Sequence, residues 1–254
     1  MWIYQWHSSN GGHARSIVAR AKHVGLTTLY LRTGSSHDGF TGARALGALL
    51  PATRGTAVHV VAWDFPELRR PVHDALRLAR AARFRRAHGG PHISAVAPDI
   101  ETPAEGTFNA AWRVRNYLTA LRSHLPRGVT ILTAVPWPSR FRVADYPYGT
   151  VARHSDALVP MAYWYNNSPG VVTQRSLWFL RRFHKPVQPV GQGYDGRLDV
   201  PSLPHNHLFR EVPAFFRTAH QHGAKAVSIW SWQSAAPATW WALSRAHRLF
   251  PARR

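Results

Sequence analysis

The side chains best placed to do chemistry are two carboxylates, Asp99 and Glu101, at the end of the run Val96-Ala97-Pro98-Asp99-Ile100-Glu101. Side chains alternate along a strand, so the two acids project to one side while Ile100 turns away. Carboxyls held that close raise each other's pKa and keep one protonated near neutral pH, where it can serve as a general acid. The whole chain has only 12 Asp and Glu among 254 residues, and Asp64 and Asp195 also fall where short apolar runs end. The competing reading is that these acids simply pair with arginine in a very basic chain. Aromatic residues cluster at the same kind of position: Trp63, Trp137, Tyr163, Trp164, Trp230 and Trp232, with Gln5, Gln192, Tyr194 and Gln233 beside them. Most Trp is packing. Indoles interleaved with carboxylates and amides are nevertheless what a sugar site needs, because pyranose faces are apolar and their edges polar.

Eight short β-branched or aromatic runs must position these groups: 2–6, 26–32, 56–63, 92–101, 129–135, 157–164, 186–193 and 225–232. Between them lie segments of helical spacing at 12–24, 42–52, 67–87, 107–125, 171–184, 206–222 and 239–250; the interval 141–154, broken by Pro147 and Gly149, is the weakest helix. Runs such as Val58-His59-Val60-Val61-Ala62-Trp63 stay apolar on successive positions, which suits strands covered by helices on both faces. Eight strand–helix units in about 250 residues predict a (β/α)8 TIM barrel, a single domain spanning residues 1–254. A doubly wound sheet is the competitor; it requires fewer strands or a second domain, and no linker of Pro, Gly and Ser divides the sequence. In a barrel, function gathers at the C-terminal ends of the strands, where Asp64, Asp99, Glu101 and Asp195 are expected.

Composition removes several classes of function. With no Cys there is no disulfide frame, thiolate metal site or cysteine nucleophile. No apolar run approaches the length that spans a bilayer, so no membrane span is expected. The first residues, Met1-Trp2-Ile3-Tyr4-Gln5-Trp6, lack the basic and apolar regions of a secretion signal. His205, His207, His220 and His222 are not in a metal-ligating register, and neither a metal nor any other cofactor is expected. Ser228 and Ser231 lack the nucleophile elbow. Net charge is +20, almost all of it arginine: only Lys22, Lys185 and Lys225 are lysines. Such a surface attracts polyanions, so an anionic cell-wall polymer or nucleic acid is a candidate partner. Arg69, Arg70, Arg77, Arg80, Arg83, Arg85 and Arg86 fall within one predicted helix and are the basis of a nucleic-acid reading.

Asp99-Ile100-Glu101 resembles the D-x-E signature on strand four of glycoside hydrolase barrels that cleave N-acetylated glycans, namely the chitinase-like enzymes and the lysozyme-like muramidases. Pro160-Met161-Ala162-Tyr163 is similar to the M-x-Y of strand six in the chitinase-like barrels, and Ala226 to Gln233 is similar to the Trp and W-Q endings of strand eight. The resemblance implies Glu101 as the general acid, Asp99 as the group that steadies the N-acetyl or the charged intermediate, Tyr163 as its hydrogen-bonding partner and Trp230 as the floor of a sugar subsite. The sequence departs from the longer chitinase pattern at Ser94 and Ala97, and from the muramidase pattern at Gln5 and His7, where those families carry Asp. Either Asp64 or Asp195 substitutes, or catalysis is lost and a carbohydrate-binding barrel remains. A substrate acetamide can act as nucleophile with one protein acid, which suits a D-x-E pair without a separate nucleophile. The remaining expectations are a polysaccharide substrate, peptidoglycan before chitin on charge, substrate contacts from Trp63, Trp164, Trp230, Trp232, Gln5, Gln192, Gln233, Tyr194 and Asp195, a monomer, and a place at the cell wall or outside the cell.

Overall fold

The computed structural model describes residues 1–84, 90–139, 142–246 and 248–250. Eight parallel strands form one nearly closed barrel: β1 (Trp2–Ile3), β2 (Thr28–Ser35), β4 (His59–Phe65), β5 (Ala95–Pro98), β6 (Thr130–Pro136), β7 (Ala157–Ala162), β8 (Val190–Gln192) and β9 (Ser228–Trp230). A ninth, β3 (Gly39–Phe40), folds back antiparallel on the end of β2 and has no counterpart among the predicted strands. Strands β9 and β1 are joined by single bonds. Trp232 N donates to Trp2 O (2.7 Å), Trp2 Nε1 donates to Ser228 Oγ (2.9 Å) and Tyr4 N donates to Gln233 Oε1 (3.3 Å).

Helices α1 (Ala14–His23), α2 (Ala43–Ala52), α3 (Pro71–Arg83), α4 (Ala111–His124), α5 (Arg142–Asp145), α6 (Tyr148–His154), α7 (Pro169–Arg181), α8 (Leu208–Gln221) and α9 (Pro237–Ala246) cover the outside. Three of them open on proline, whose missing N–H costs nothing in a first turn and whose φ is already helical. The start of α3 at Pro71 leaves Arg69 and Arg70 in the preceding loop, outside the helix the arginine spacing predicts. Arg85 and Arg86, with the end of that predicted helix, lie outside the described residues, as does Phe141 at the head of the 141–154 interval.

Period two divides each strand between two cores. Outward residues such as Ile3, Leu31, Ala62, Val96 and Ile229 join the layer beneath the helices. Inward residues form a separate cluster of Trp2, Tyr30, Val61, Trp63, Ala95, Ala97, Ala134, Val159 and Val190, with Leu132, Tyr163 and Trp230 packed against it. The large rings come from β1, β2, β4 and β9, with Tyr163 after β7, while β5 supplies only alanines and β6 Ala134 beside Leu132. Trp2 stacks on Tyr30 at 4.3 Å between ring centres and meets Trp63 edge-on at 5.6 Å. Large against small suits the filling of a barrel of this bore. Among the described residues, no helix is long and apolar enough to cross a membrane.

Candidate active site

On β5, Ala95 and Ala97 face inward, so Asp99 is the next side chain in the inward register; it bridges to Ala134 of β6, itself an inward residue. Asp99 is only 7% exposed, and its Oδ1 is buried without a hydrogen-bond partner among the described residues. Burial pushes the carboxyl up to about 7, helped by the charges of Asp64 and Glu105 and opposed by Arg32. The leading cause is loss of water rather than the neighbour two residues on. Ile100 turns outward into the helix-side core, and its carbonyl accepts the Tyr146 hydroxyl (2.7 Å), which fixes the strand end.

Glu101 is half-buried, and its main chain is held on both sides. Its N–H donates to Thr107 Oγ1 (3.3 Å), and its carbonyl accepts Asn109 Nδ2 (3.1 Å). The phenol of Tyr163, following β7, is raised well above its ordinary value by burial and by the charges of Asp99 and Glu101. The charge of Glu101 acts on the same phenol, and Asp99, after Ala97 on β5, and Tyr163, packed on the inner cluster after β7, both stand at the C-terminal end of the barrel, its mouth. Trp230 stands across it, 5.4 Å from Trp63 and 5.8 Å from Tyr4, half-buried above the inner layer.

Beyond β8, Gln192 is fully buried. It accepts from Tyr165 N (2.8 Å) and donates to Tyr194 O (2.9 Å) and Asn206 Oδ1 (3.0 Å). Asn206 in turn donates to Tyr165 O (2.7 Å). One amide thus spaces two tyrosines, both of which donate their hydroxyls to Asp199. Burial leads in pushing Tyr165 up to about 12, and Tyr194 goes higher still. Both remain protonated donors at any physiological pH.

No protein-family model and no curated protein matches the sequence. Solved structures do. The chain is similar to the GH99 endo-alpha-mannosidase from Bacteroides thetaiotaomicron at 13% identity (TM-score 0.66, 95% of this chain, 79% of that one). It is also similar to a GH18 chitinase from Pseudoalteromonas aurantia at 15% (0.62, 89% and 94%) and to the GH18 chitinase ChiB of Flavobacterium johnsoniae at 11% (0.60, 92% and 90%). The fold is the one these glycoside hydrolase barrels share.

Within that barrel the residues singled out in the sequence separate. Asp99, Glu101, Tyr163, Trp230, Tyr194 and Gln192 gather at the mouth or directly behind it. Asp64 does not. Trp63 takes the inward register of β4, so Asp64, one residue on, must face the helices. There Arg77 Nε donates to its Oδ2 at 2.8 Å, and Arg77 Nη1 donates to Asp74 Oδ1 at 2.7 Å. Burial pushes Asp64 up to about 6 against the pull of Arg77. Burial works against the Arg77 cation in turn, yet Asp64 and Asp74 hold it above its ordinary value. Tyr117 Oη, Asp64 Oδ1 and Arg77 Nη2 are buried there without a partner among the described residues. Arg77 is therefore no phosphate contact, contrary to the nucleic-acid reading.

Trp63 itself is 2% exposed, its Nε1 donating to Ile3 O, so it is a prop beneath the mouth rather than a wall of it. Trp164 and Trp232 face the helices. Trp164 donates to Glu211 (3.1 Å), and Trp232 donates to Asn10 (3.0 Å) and packs edge-on to Trp240. Each follows an inward aromatic, Tyr163 or (two residues back) Trp230, and the chain turns them out of the barrel where the strand ends. Gln5 is exposed after β1, and Tyr4, the first residue past that strand, packs with Trp63 and Trp230. Gln233 closes the β9–β1 seam. Asp195 caps a short turn: it accepts from Arg197 N (3.0 Å) and pairs with His205 (2.6 Å), which holds its carboxyl below the usual range.

Sequence reading missed Tyr4, Arg32, Tyr165 and Asp199. The signal for three of them was period two, since Tyr4 follows Trp2, Arg32 follows Tyr30 and Tyr165 follows Tyr163. Among the described residues, no three His, Asp or Glu side chains converge as metal ligands.

Proposed function

We propose that the protein is a glycoside hydrolase acting on a polysaccharide of N-acetylated amino sugars, with Glu101 as general acid and Asp99 assisting. What supports the reading most directly is the convergence of a buried, raised carboxyl, a second acid two residues on, a protonated phenol and a half-buried indole at one end of the barrel. In the step envisaged, Glu101 gives its proton to the glycosidic oxygen as the bond to C1 breaks. The substrate's acetamide oxygen closes on C1, while Asp99 and Tyr163 hold the acetamide. Water, giving its proton back to Glu101, then opens that intermediate. Trp230 supplies the apolar face on which the reacting ring lies. The +20 charge favours peptidoglycan, an anionic polymer, over chitin.

The test is release of reducing ends from peptidoglycan and from chitin oligomers by the wild type beside Glu101→Gln. A loss of 10² to 10⁴ in turnover with the fold retained is expected. Equal release by the two proteins removes the enzymatic claim. Binding by both proteins with turnover by neither would leave a carbohydrate-binding barrel.

A further inference from the structure

The scheme above gives no role to Arg32, in the inward register of β2 two residues after Tyr30. Its guanidinium carbon lies 4.7 Å from the centre of the Tyr4 ring and 6.0 Å from that of Trp63. It therefore stands in the same aromatic wall as Trp230, and its charge reaches both Asp99 and Asp64. The group is held rather than free to wander. Nη2 donates to Asp38 Oδ2 (3.0 Å), and Asp38 is fixed by Ser35, whose Oγ donates to the same oxygen (2.8 Å) and accepts from Asp38 N (2.9 Å). That bond occupies one edge of a planar fork whose five donors suit a carboxylate.

The same pairing of cation with ring recurs on the other side of Glu101. Phe108 sits between Thr107 and Asn109, the two residues that clamp the Glu101 main chain, and is 38% exposed. Arg69 lies 4.1 Å over its ring, and Arg113 lies 4.5 Å over neighbouring Trp112. Arg113 Nη1 is anchored to the carbonyls of Leu68 (2.9 Å) and Arg69 (3.0 Å). A ring with a guanidinium beside it can take the face of a sugar and pair with an anion that the same sugar carries.

The geometry points to an acidic glycan as the ligand of this mouth, its sugar carboxylate read by Arg32, with Arg69 and Arg113 lining the track where the chain leaves past Glu101. The inference rests on the glycan reading of the same site and adds to it a charge on the substrate and the residue that selects it.

The experiment uses the full chain carrying Glu101→Gln, so that ligand survives, and calorimetric titration with three tetrasaccharides. These are chitotetraose, a peptide-free N-acetylglucosamine–N-acetylmuramic acid tetramer with its lactyl carboxylates, and an N-acetylglucosamine–glucuronate tetramer. Carboxyl-reduced forms of the two acidic oligomers are the controls. At least one acidic oligomer is expected to bind about tenfold tighter than its own reduced form at 0.15 M salt. The gap should narrow but persist at 0.5 M salt, because the pairing is partly buried. Which oligomer does so tells a lactyl from a uronate carboxylate. In Arg32→Gln the ratio should fall to near one, and Arg32→Lys should restore part of it; melting curves of both variants show that the fold is kept. Equal affinity for acidic and reduced forms would overturn the inference and leave the glycan reading standing. A preference undiminished in Arg32→Gln would overturn the assignment to Arg32. Failure of every oligomer to bind would overturn both the inference and the proposed function.

Discussion

Asp99→Asn tests the environment of the candidate site without presuming a substrate. The carboxyl is 7% exposed, leaves Oδ1 without a hydrogen bond among the described residues and is pushed up from 3.8 to about 7. A rise of that size corresponds to about 4 kcal/mol as a ceiling, at about 1.4 kcal/mol for each unit. Local relaxation and water entry bring the realised figure to about 2–4 kcal/mol. The sign follows from proton counting. Below pH 4 the acid is protonated in both folded and unfolded chains and contributes nothing. Between pH 4 and 7 the unfolded chain ionises it while the folded chain keeps its proton, so stability falls as pH rises; above 7 the loss levels off. Asparagine carries no such slope, whereas Asp64, raised in the same direction, is present in both proteins and cancels. For a chain of this length about 2–4 °C accompanies each kcal/mol. Calorimetric melts of the two proteins from pH 4.5 to 8.5 should therefore show the variant gaining about 4–16 °C on the wild type between those limits. A difference in Tm that stays flat across that range would mean that Asp99 is solvated or paired, and the argument for it as a buried, raised acid would fail.

Three further outcomes follow from the packing. Arg77→Ala leaves Asp64 and Asp74 buried with no cation between them and should cost about 3–5 kcal/mol at pH 7, less at pH 5 where Asp64 can take a proton; denaturant titration at the two pH values reads it. Trp230→Ala and Trp232→Ala should separate, the first weakening oligosaccharide binding with the smaller loss of Tm, the second lowering Tm further while binding holds, because Trp232 is 3% exposed and packs between the barrel and the helices. Gly193→Ala introduces a Cβ about 2.5 Å from Ile229 Cγ2 and 3.0 Å from Trp230 O, so the end of β8 must move away from Trp230. A loss of about 1–3 kcal/mol with reduced kcat/KM is expected, and an unchanged kcat/KM would show that the mouth tolerates the shift.

The barrel was legible because eight strands covered on both faces read as apolar runs at a regular interval, and each of the eight predicted runs contains an observed strand or most of one. Boundaries were less legible. Helices α3, α7 and α9 begin where proline supplies the first turn, which hydrophobic spacing alone places a few residues early or late. The β3 return was invisible, as two residues carry no period. At the mouth, the D-x-E pair was legible because two-residue spacing is the geometry of a strand face. The errors came from reading "end of a strand" without asking which face. Asp64 and Trp164 sit one residue past an inward aromatic, and a one-residue step on a strand reverses direction. Applied consistently, the same rule recovers Tyr4, Arg32 and Tyr165. Asp199 and Asn206 could not be found that way, since a loop carries no period and their positions come from hydrogen bonds to residues far along the chain.

Where the mouth opens is itself a consequence of how the barrel is filled. Its interior volume is fixed by eight strands, and the inward layer meets that volume with rings from β1, β2, β4, β9 and the end of β7 against the alanines of β5. Ala95 and Ala97 below Asp99 leave room for that carboxyl to sink beneath the rim, which strips its water and raises its pKa. Trp2 and Trp63 beside Trp230 leave no such room and keep the indole half-buried rather than sunk. A buried acid on one wall and a half-buried indole on the other are thus two results of one partition of side-chain volume. Enlarging Ala97 to valine should therefore act on Asp99 from below. The carboxyl would be lifted toward water, its pKa would drop toward the ordinary carboxylate range, and the pH-dependent stability gap between wild type and Asp99→Asn would shrink when both are remade in the Ala97→Val background.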